Sequence, residues 1–230
     1  MKRAGMIAVN VSCAVSCAAS YQSARVVPLG KTEVTVAMSK LVDAKPEPEQ
    51  DGEIRPTWTG DLQLRRGIRS HFDIGFRFIR TQGVPQFLVG PPPQIAETLS
   101  SLSFEPKLEL TEPGATTIIS VALPVYRGWF SDAYGSKPAS YAIAPTLFAG
   151  FQLSSQSELV LTAKAIASKS YGSLEPVRTA LGGSVGVRFG SRAGGFAIQP
   201  EIGVLRSYDQ AGAYRSGVLI SFGLGIAVGN

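Results

Sequence analysis

The stretch "SHFDIGFRFIR", residues 70–80, alternates along its whole length. One set of alternate positions carries large apolar side chains: Phe72, Ile74, Phe76 and Phe78. The other set carries His71, Asp73, Gly75 and Arg77. Side chains of a β-strand point alternately to the two faces, so this strand has one apolar and one polar face. A soluble β-protein turns the apolar face inward, whereas a membrane barrel turns it outward to lipid.

The composition indicates strands without a transmembrane helix. Charged residues make up 17% of the 230-residue chain, below the ~25% of an average soluble domain. Even so, no stretch reaches the ~20 consecutive apolar residues that a transmembrane helix needs. The 25 glycines and 15 prolines favour strands and turns, which predicts an all-β fold. The net charge is +5, but the basic residues are scattered, so no nucleic-acid partner is predicted.

The N-terminus has the layout of a secretory signal. Lys2 and Arg3 precede a short, mostly apolar run that ends in small residues, which predicts a signal peptide over 1–16. The sequence Ala14-Val15-Ser16-Cys17 resembles a lipoprotein lipobox and implies lipidation of Cys17. Ordinary cleavage after the same small residues is the alternative. Residues 17–31 lack a clear period and are predicted to be a tether.

Ten alternating stretches follow the tether. Each has about 10–13 residues, whereas strands of soluble sheets usually have about 5–6, and a tilted strand needs about 9–11 to cross a bilayer. They form one predicted domain, residues 32–230. The predicted strands are 32–42, 56–66, 70–80, 99–111, 115–127, 141–154, 157–168, 179–190, 195–206 and 216–228.

The connections between these strands alternate in length. The tight turns contain "GIRS", "TEPGA", "SSQS" and "GSRAGG", and the connections between them are longer and polar. Short periplasmic turns and long outer loops are typical of a membrane barrel. The face opposite the apolar one is small and sparsely charged in the last three strands, which favours a crowded lumen over a solvated surface. The sequence therefore predicts a closed antiparallel up-and-down transmembrane β-barrel, with a soluble lipocalin-like barrel as the alternative.

Residues 32–230 resemble small single-chain β-barrels of the bacterial outer membrane. The last strand resembles the assembly signal of such proteins at Ser221, Gly223, Ile226 and Val228. The resemblance implies a location in the bacterial outer membrane. It also implies three partners, which are membrane lipid, lipopolysaccharide and the barrel-assembly machinery.

Charged residues on the polar faces predict a network inside the barrel, because buried charges are costly unless they are paired. Arg65 and Arg77 are expected to meet Asp73, and Lys107 is expected to meet acids across the sheet. The network is interpreted as plugging and stiffening a small barrel, with a porin-like path for small ions as the alternative. Its predicted members are Asp61, Arg65, His71, Asp73, Arg77, Glu105, Lys107, Glu109, Lys164, Arg188 and Glu201.

No catalytic, metal or cofactor site is predicted. Barrels of the omptin protease type place acids and a histidine at the extracellular rim, and lipid A deacylases use a histidine and a serine. The single histidine, His71, lies beside a predicted periplasmic turn, at the wrong end for the protease. The predicted function is that of a non-enzymatic membrane component, structural or permeable to small solutes, and a surface enzyme acting on peptides or lipid is the alternative.

Residues near the loop ends predict contacts with the membrane. Aromatic residues there suggest an interfacial girdle: Trp58, Tyr126, Trp129, Phe130 and Tyr141. Basic residues there are candidates for binding lipopolysaccharide phosphates, or are simply solvated: Arg55, Arg80, Arg127, Lys137, Lys169, Arg178, Arg206 and Arg215. The loop at 84–93 is a hairpin, a plug or a partner-binding lip.

Overall fold

A computed structural model describes eight stretches of the chain: residues 19–43, 57–82, 98–112, 114–132, 135–170, 177–190, 195–208 and 218–230. The predicted signal peptide, the predicted lipidation site Cys17 and the loop at 84–93 lie outside the described residues. In the described part of the chain, no helix is long and apolar enough to span a membrane.

The described residues form twelve antiparallel strand segments. Most neighbours in sequence are hydrogen-bonded, except that β4 pairs with both β5 and β6, β5 pairs with β8, and β9 pairs with both β7 and β8. Because β1 pairs with both β2 and β12, the sheet closes on itself. The segments are β1 (Thr32–Asp43), β2 (Thr57–Arg69), β3 (Phe72–Gln82), β4 (Thr98–Glu109), β5 (Thr117–Ala122), β6 (Val125–Asp132), β7 (Gly135–Ile143), β8 (Thr146–Ser154), β9 (Ser157–Ser170), β10 (Arg178–Gly190), β11 (Ala197–Tyr208) and β12 (Val218–Gly229).

Two of the crossings are interrupted at proline. Pro124 separates β5 from β6, and Pro145 separates β7 from β8. Proline has no amide proton for the ladder, so regular pairing stops there and resumes on the other side. The twelve segments therefore make ten crossings, and the prediction of a closed ten-stranded barrel is confirmed. The predicted outer loop between the fifth and sixth strands was wrong, because β6 and β7 continue the ladder through that region.

The burial pattern is inverted relative to a soluble protein. Large apolar side chains on the strands are exposed, for example Met38 at 59%, Phe76 at 50% and Ile202 at 52%, while their polar neighbours are buried. In water such a continuous apolar exterior would aggregate, whereas in a bilayer it faces hydrocarbon. Phe76 and Phe78 thus point out of the barrel and Asp73 and Arg77 point in, as the sequence predicted.

Both chain ends of the barrel lie at the end with the short turns. Asn230 closes the cylinder there, because its amide donates to the carbonyl of Thr32 at 3.2 Å and its side-chain oxygen accepts from the Thr32 amide at 3.1 Å. We refer to this as the short-turn end, and to the opposite end as the loop end.

The segment 19–27, predicted as part of a tether, lies inside the barrel. All of these residues are buried except Arg25, which is half-buried. At the short-turn end the chain turns through 28–31 into β1, and the Gly30 amide bonds to the carbonyl of Gly67 at 3.0 Å. A Cβ at Gly67 would lie 2.1 Å from the carbonyl oxygen of Pro28, so glycine is required for this close approach. We call residues 19–27 the lumen segment.

Candidate functional site: the lumen and the lumen segment

Seven acidic and five basic side chains of the described residues are buried, and all belong to inward-facing positions of the strands. Burying this many charges is unfavourable unless each finds partners. We call this set the charged section of the lumen. Its members are Glu33, Asp61, Arg65, Asp73, Arg77, Glu105, Lys107, Glu109, Glu158, Lys164, Arg188 and Glu201.

Two ion pairs connect β2 and β3 diagonally. Arg65 binds Asp73, as the sequence predicted, and also approaches Glu105 at 3.3 Å. Gly75 stands opposite Arg65 in the ladder, and a Cβ there would come within 2.8 Å of the guanidinium, so the glycine leaves the arginine room to cross.

The second diagonal pair corrects one prediction. Arg77 was expected to meet Asp73, but it binds Asp61, with Nε 2.8 Å from Oδ2. Asp61 stands opposite Ile79 in the register, which places its carboxylate diagonally next to Arg77. A further pair joins more distant strands, with Arg188 at 2.7 Å from Glu33.

Glu105 is the most connected carboxylate of the lumen. Besides Arg65 it accepts hydrogen bonds from Gln63 at 2.9 Å, Ser103 at 2.8 Å and Tyr126 at 3.3 Å. Gln22 of the lumen segment donates to the same carboxylate at 2.9 Å. The wall and the lumen segment therefore share one hydrogen-bond network at this buried carboxylate.

Carboxylates of the wall accept the backbone amides of the lumen segment. Glu201 accepts from Ser20 at 2.6 Å and from Tyr21 at 2.8 Å. Further along the segment, three more carboxylates accept amides at 2.8–3.2 Å: Glu158 from Ala24, Glu109 from Val26 and Asp73 from Val27. Bonds between a backbone amide and an ionised carboxylate are about twice as strong as neutral ones.

Donors of the wall bind the segment's carbonyls. Lys107 donates to the carbonyls of Ser23 and Arg25, the latter at 3.1 Å, although the sequence predicted acidic partners for it. The reason is that the lumen segment lies between Lys107 and the far wall. The other donors act at 2.6–3.3 Å: Ser120 on Ala24, Arg77 on Ala19 and Gln199 on Gln22.

Two side chains of the segment fit into places that the wall leaves open. The Tyr21 side chain lies against Gly223 and Gly225, where added Cβ atoms would come within 1.7 Å of its hydroxyl oxygen and 3.0 Å of its Cβ. Tyr21 adopts a φ of 51°, a strained conformation for a residue with a side chain. Ala24 packs in an apolar cluster at one side of the lumen, and a Cβ on Gly150 would meet it at 2.6 Å.

Ten of the eleven predicted network residues are buried in the lumen, and His71 is not among them. His71 lies in the turn between β2 and β3, with a half-buried side chain, and its carbonyl accepts the amide of Glu109 at 2.8 Å. The prediction missed Glu33 and Glu158. Both follow from the same alternation, because Glu33 precedes the outward-facing Val34 and Glu158 shares its face with Lys164.

The aromatic residues of the predicted interfacial girdle differ in where their side chains lie. Trp58 and Tyr141 are exposed at the loop end, and Trp129 lies beside the outward-facing Phe78 with ring centroids 6.2 Å apart. The prediction for Tyr126 was wrong, because its side chain points inward to Glu105. The side chain of Phe130 lies outside the described part.

The loop-end basic residues are partly described. Arg80, Arg127, Lys169 and Arg206 are exposed, and Arg178 is half-buried. Arg55, Arg215 and the side chain of Lys137 lie outside the described part. Among the residues that the structure does describe, no group of three or more His, Cys, Asp or Glu side chains is arranged to hold a metal ion.

Comparisons with solved structures show the same fold. An outer-membrane channel of Pseudomonas putida F1 matches with a TM-score of 0.54 and 11% identity, over 90% of this chain and 97% of that chain. This chain has the fold of a bacterial outer-membrane β-barrel. The outer-membrane protease OmpT of Escherichia coli matches at a TM-score of 0.43, with 10% identity over 91% of this chain and 98% of that one. The Ail protein of Yersinia pestis matches at 0.37, with 12% identity over 88% and 99%.

No family model matches the sequence, and no curated protein does. The location follows from the fold and the apolar exterior together. Only helices and closed barrels satisfy their backbone hydrogen bonds within hydrocarbon, and a closed barrel with an apolar outside is the architecture of the bacterial outer membrane. The protein is therefore an outer-membrane barrel, surrounded by membrane lipid and lipopolysaccharide.

Proposed function

We propose that this protein is a non-enzymatic structural component of the outer membrane, and that its own lumen segment keeps the barrel closed. The proposal rests on the position of residues 19–27 inside the barrel, surrounded by its wall. Their backbone uses the carboxylates Glu201, Glu158, Glu109 and Asp73, which in an open pore would face water.

Closure is favoured over a permanent path for small ions. A conducting lumen needs polar groups that remain available to water and ions along its length. Here Arg65, Glu105 and Lys107 are at most 3% exposed. Arg65 donates a hydrogen bond to Glu105, and Lys107 donates one to the lumen segment. The barrel is stiffened by these bonds, which join strands on opposite sides of the lumen through the segment.

Single-channel recording tests the closed state. The full chain, refolded in detergent and shown to be folded by heat-modifiable migration on a gel, is inserted into planar bilayers. We expect a flat current trace, because the segment occupies the lumen. Stable stepwise conductance of the intact chain would contradict the proposal and favour the porin-like alternative.

The absence of catalysis is part of the proposal. His71 lies at the short-turn end with its carbonyl engaged by Glu109, and general acid–base chemistry needs a positioned partner for its side chain. We expect the refolded protein to hydrolyse neither peptides nor lipopolysaccharide. A hydrolytic activity that disappears in His71→Ala would favour the surface-enzyme alternative.

Cations at the loop end support lipopolysaccharide as a lipid partner. Arg127, Tyr141 and Lys169 stand directly opposite one another on β6, β7 and β9, and all three are exposed. Arg127 lies over the Tyr141 ring, 5.9 Å from its centroid. Basic side chains flanking an amphipathic ring suit the phosphorylated headgroup region of an anionic leaflet.

Paired substitutions test this partner. Arg127→Gln with Lys169→Gln should weaken binding to lipopolysaccharide vesicles by about tenfold or more, since each basic residue near an anionic surface contributes about 1 kcal/mol. The matched control is Arg66→Gln, an exposed change near the short-turn end. If both variants lost lipopolysaccharide binding equally, the loss would reflect net charge alone, and Arg127 and Lys169 would not form a binding site.

Strand β12 is the proposed recognition element for the barrel-assembly machinery. Ser221 and Gly223 face inward, and Ile226 and Val228 are exposed on the other face. The strand pairs with β1 along the seam that joins the first and last strands of the barrel. Substitution of Ile226 and Val228 by Ser should lower the yield of folded barrel in the outer membrane while leaving refolding in detergent possible.

A further inference from the structure

We propose that the lumen is a binding site for a polypeptide in the bent conformation of the lumen segment, and that the lumen segment is its resident ligand, which a free peptide of the same chemistry can replace. The inference rests on the closed lumen described above. It assigns a class of ligand, a peptide, to a lumen that the proposed function describes only as closed by its own segment.

The chemistry of recognition is directed mainly at the main chain. Five amides, from Ser20 to Val27, are accepted by four wall carboxylates. Carbonyls from Ala19 to Arg25 are bound by a lysine, an arginine, a serine and a glutamine of the wall. Any polypeptide that adopts this backbone, with the left-handed φ at the position of Tyr21 and the bend at the position of Ala24, presents these groups in the same arrangement. The site therefore does not depend on most of the ligand's side chains.

Two positions give the site its selectivity. The first is the space over Gly223 and Gly225, which accommodates the Tyr21 ring. The second is the contact of Ala24 with Gly150, where a larger side chain would not fit. The preferred ligand is therefore a peptide with an aromatic residue and a small residue three positions later.

The charge balance favours the same ligand. Seven buried carboxylates face five buried bases in the described wall, so the empty lumen would carry excess negative charge. The lumen segment offsets it with its amides and with Arg25, whose guanidinium lies 3.7 Å from Glu109. A neutral or basic peptide supplies these donors, whereas an acidic one would add repulsion.

The segment is connected to the wall by an exposed turn. Leu29 is 66% exposed, and Gly30 has open space where a Cβ would lie. A protease site inserted between Gly30 and Lys31 would let the folded barrel be cut there, which turns the lumen segment into a non-covalent ligand. A Tyr21→Ala change in the same chain weakens the resident segment and lets it exchange.

The binding experiment uses this cut Tyr21→Ala barrel and a fluorescent synthetic peptide of residues 19–28. We expect saturable binding by anisotropy, with displacement by unlabelled peptide. Methylation of the peptide's Tyr21 and Val26 amide nitrogens should weaken binding at least tenfold, because each removes a donor to a buried carboxylate. Replacement of the peptide's Tyr21 by Ala should weaken it similarly.

A wall variant provides a second measurement. In the cut barrel, Gly225→Val fills the space of the Tyr21 ring, since the nearest atoms to an added Cβ are all in that side chain. It should abolish peptide binding. The matched control is Gly60→Val, on the outward face of β2 with nothing near its Cβ position, and it should bind normally.

The outcomes separate this inference from the closed lumen. If the folded, cut barrel fails to bind the peptide, or binds the methylated peptide equally well, the receptor inference is wrong and closure of the intact chain stands. If the intact chain conducts in planar bilayers while the cut barrel still binds the peptide, closure is wrong and the receptor inference stands.

Discussion

The lumen has two sections that differ in chemistry. The charged section holds every buried ionisable Asp, Glu, Lys and Arg among the described residues, and the lumen segment lies against it. Within three residues of the loop end of the strands, the buried inward side chains are uncharged. We call these the loop-end section: Leu41, Thr59, Ile79, Thr81, Leu99, Ser101, Ser168, Ala180, Leu205, Leu219 and Ser221.

The difference shows what the charges are for. A barrel of this size can fill its interior with apolar and hydroxyl side chains, as the loop-end section does. Charges appear where a polar main chain has to be held away from water. The charged section thus provides the hydrogen-bonding partners of the lumen segment. Substitutions that remove such partners should therefore have different effects from substitutions in the loop-end section.

The largest expected effect is at the centre of the charged section. Arg65→Met should destabilise the barrel by about 3–5 kcal/mol, because it removes the guanidinium that is ion-paired with both Asp73 and Glu105. Urea unfolding followed by tryptophan fluorescence gives the free energy. The matched control is Arg66→Met, the next residue but exposed on the outer face, which should change stability little. A small effect of Arg65→Met would mean that the charged section is not an interdependent network.

An intermediate effect is expected in the loop-end section. Ile79→Asn puts an amide in place of a fully buried apolar side chain and should cost about 1–3 kcal/mol in the same unfolding assay. Gln82→Asn, an exposed change on the same strand, is the control. If Ile79→Asn left the free energy of unfolding unchanged, the loop-end section would contain water, and the contrast between the two sections would disappear.

The smallest expected effect is on one contact with the lumen segment. Ser120→Ala removes a donor 2.6 Å from the carbonyl of Ala24 and should cost about 1 kcal/mol. Thr117→Val, exposed on the same strand, should be nearly neutral. A cost well above that of one hydrogen bond would show that Ser120 supports the wall itself as well as the segment.

The sequence predicted the barrel well because alternation is a property of each strand by itself. The faces of β3 follow from the parity of Phe76 and Asp73, and the same parity places Tyr126 inward, next to the outward-facing Val125. The girdle prediction for Tyr126 relied on its nearness to a loop and disregarded that parity. The hydroxyl of Tyr126 makes the inward position favourable, since it reaches Glu105.

The lumen segment could not be predicted in the same way. A strand that is paired in a sheet alternates, but 19–27 is surrounded on all sides and bonded by side chains of several strands, so no period is imposed on it. The partners of Lys107 depended on this segment and were missed with it. Distance along the chain hides such contacts, for example the 180 positions that separate Tyr21 from Glu201.

Prolines interrupt three neighbouring parts of the wall. Pro106 in β4, Pro124 between β5 and β6, and Pro145 between β7 and β8 each accept an amide from the next strand but donate none. The wall from β4 to β9 therefore has fewer cross-strand bonds than the ladders that join β12 to β1 and β1 to β2, which contain no proline. Local opening begins where fewest bonds must break, so amide hydrogens beside these prolines should exchange with solvent deuterium first.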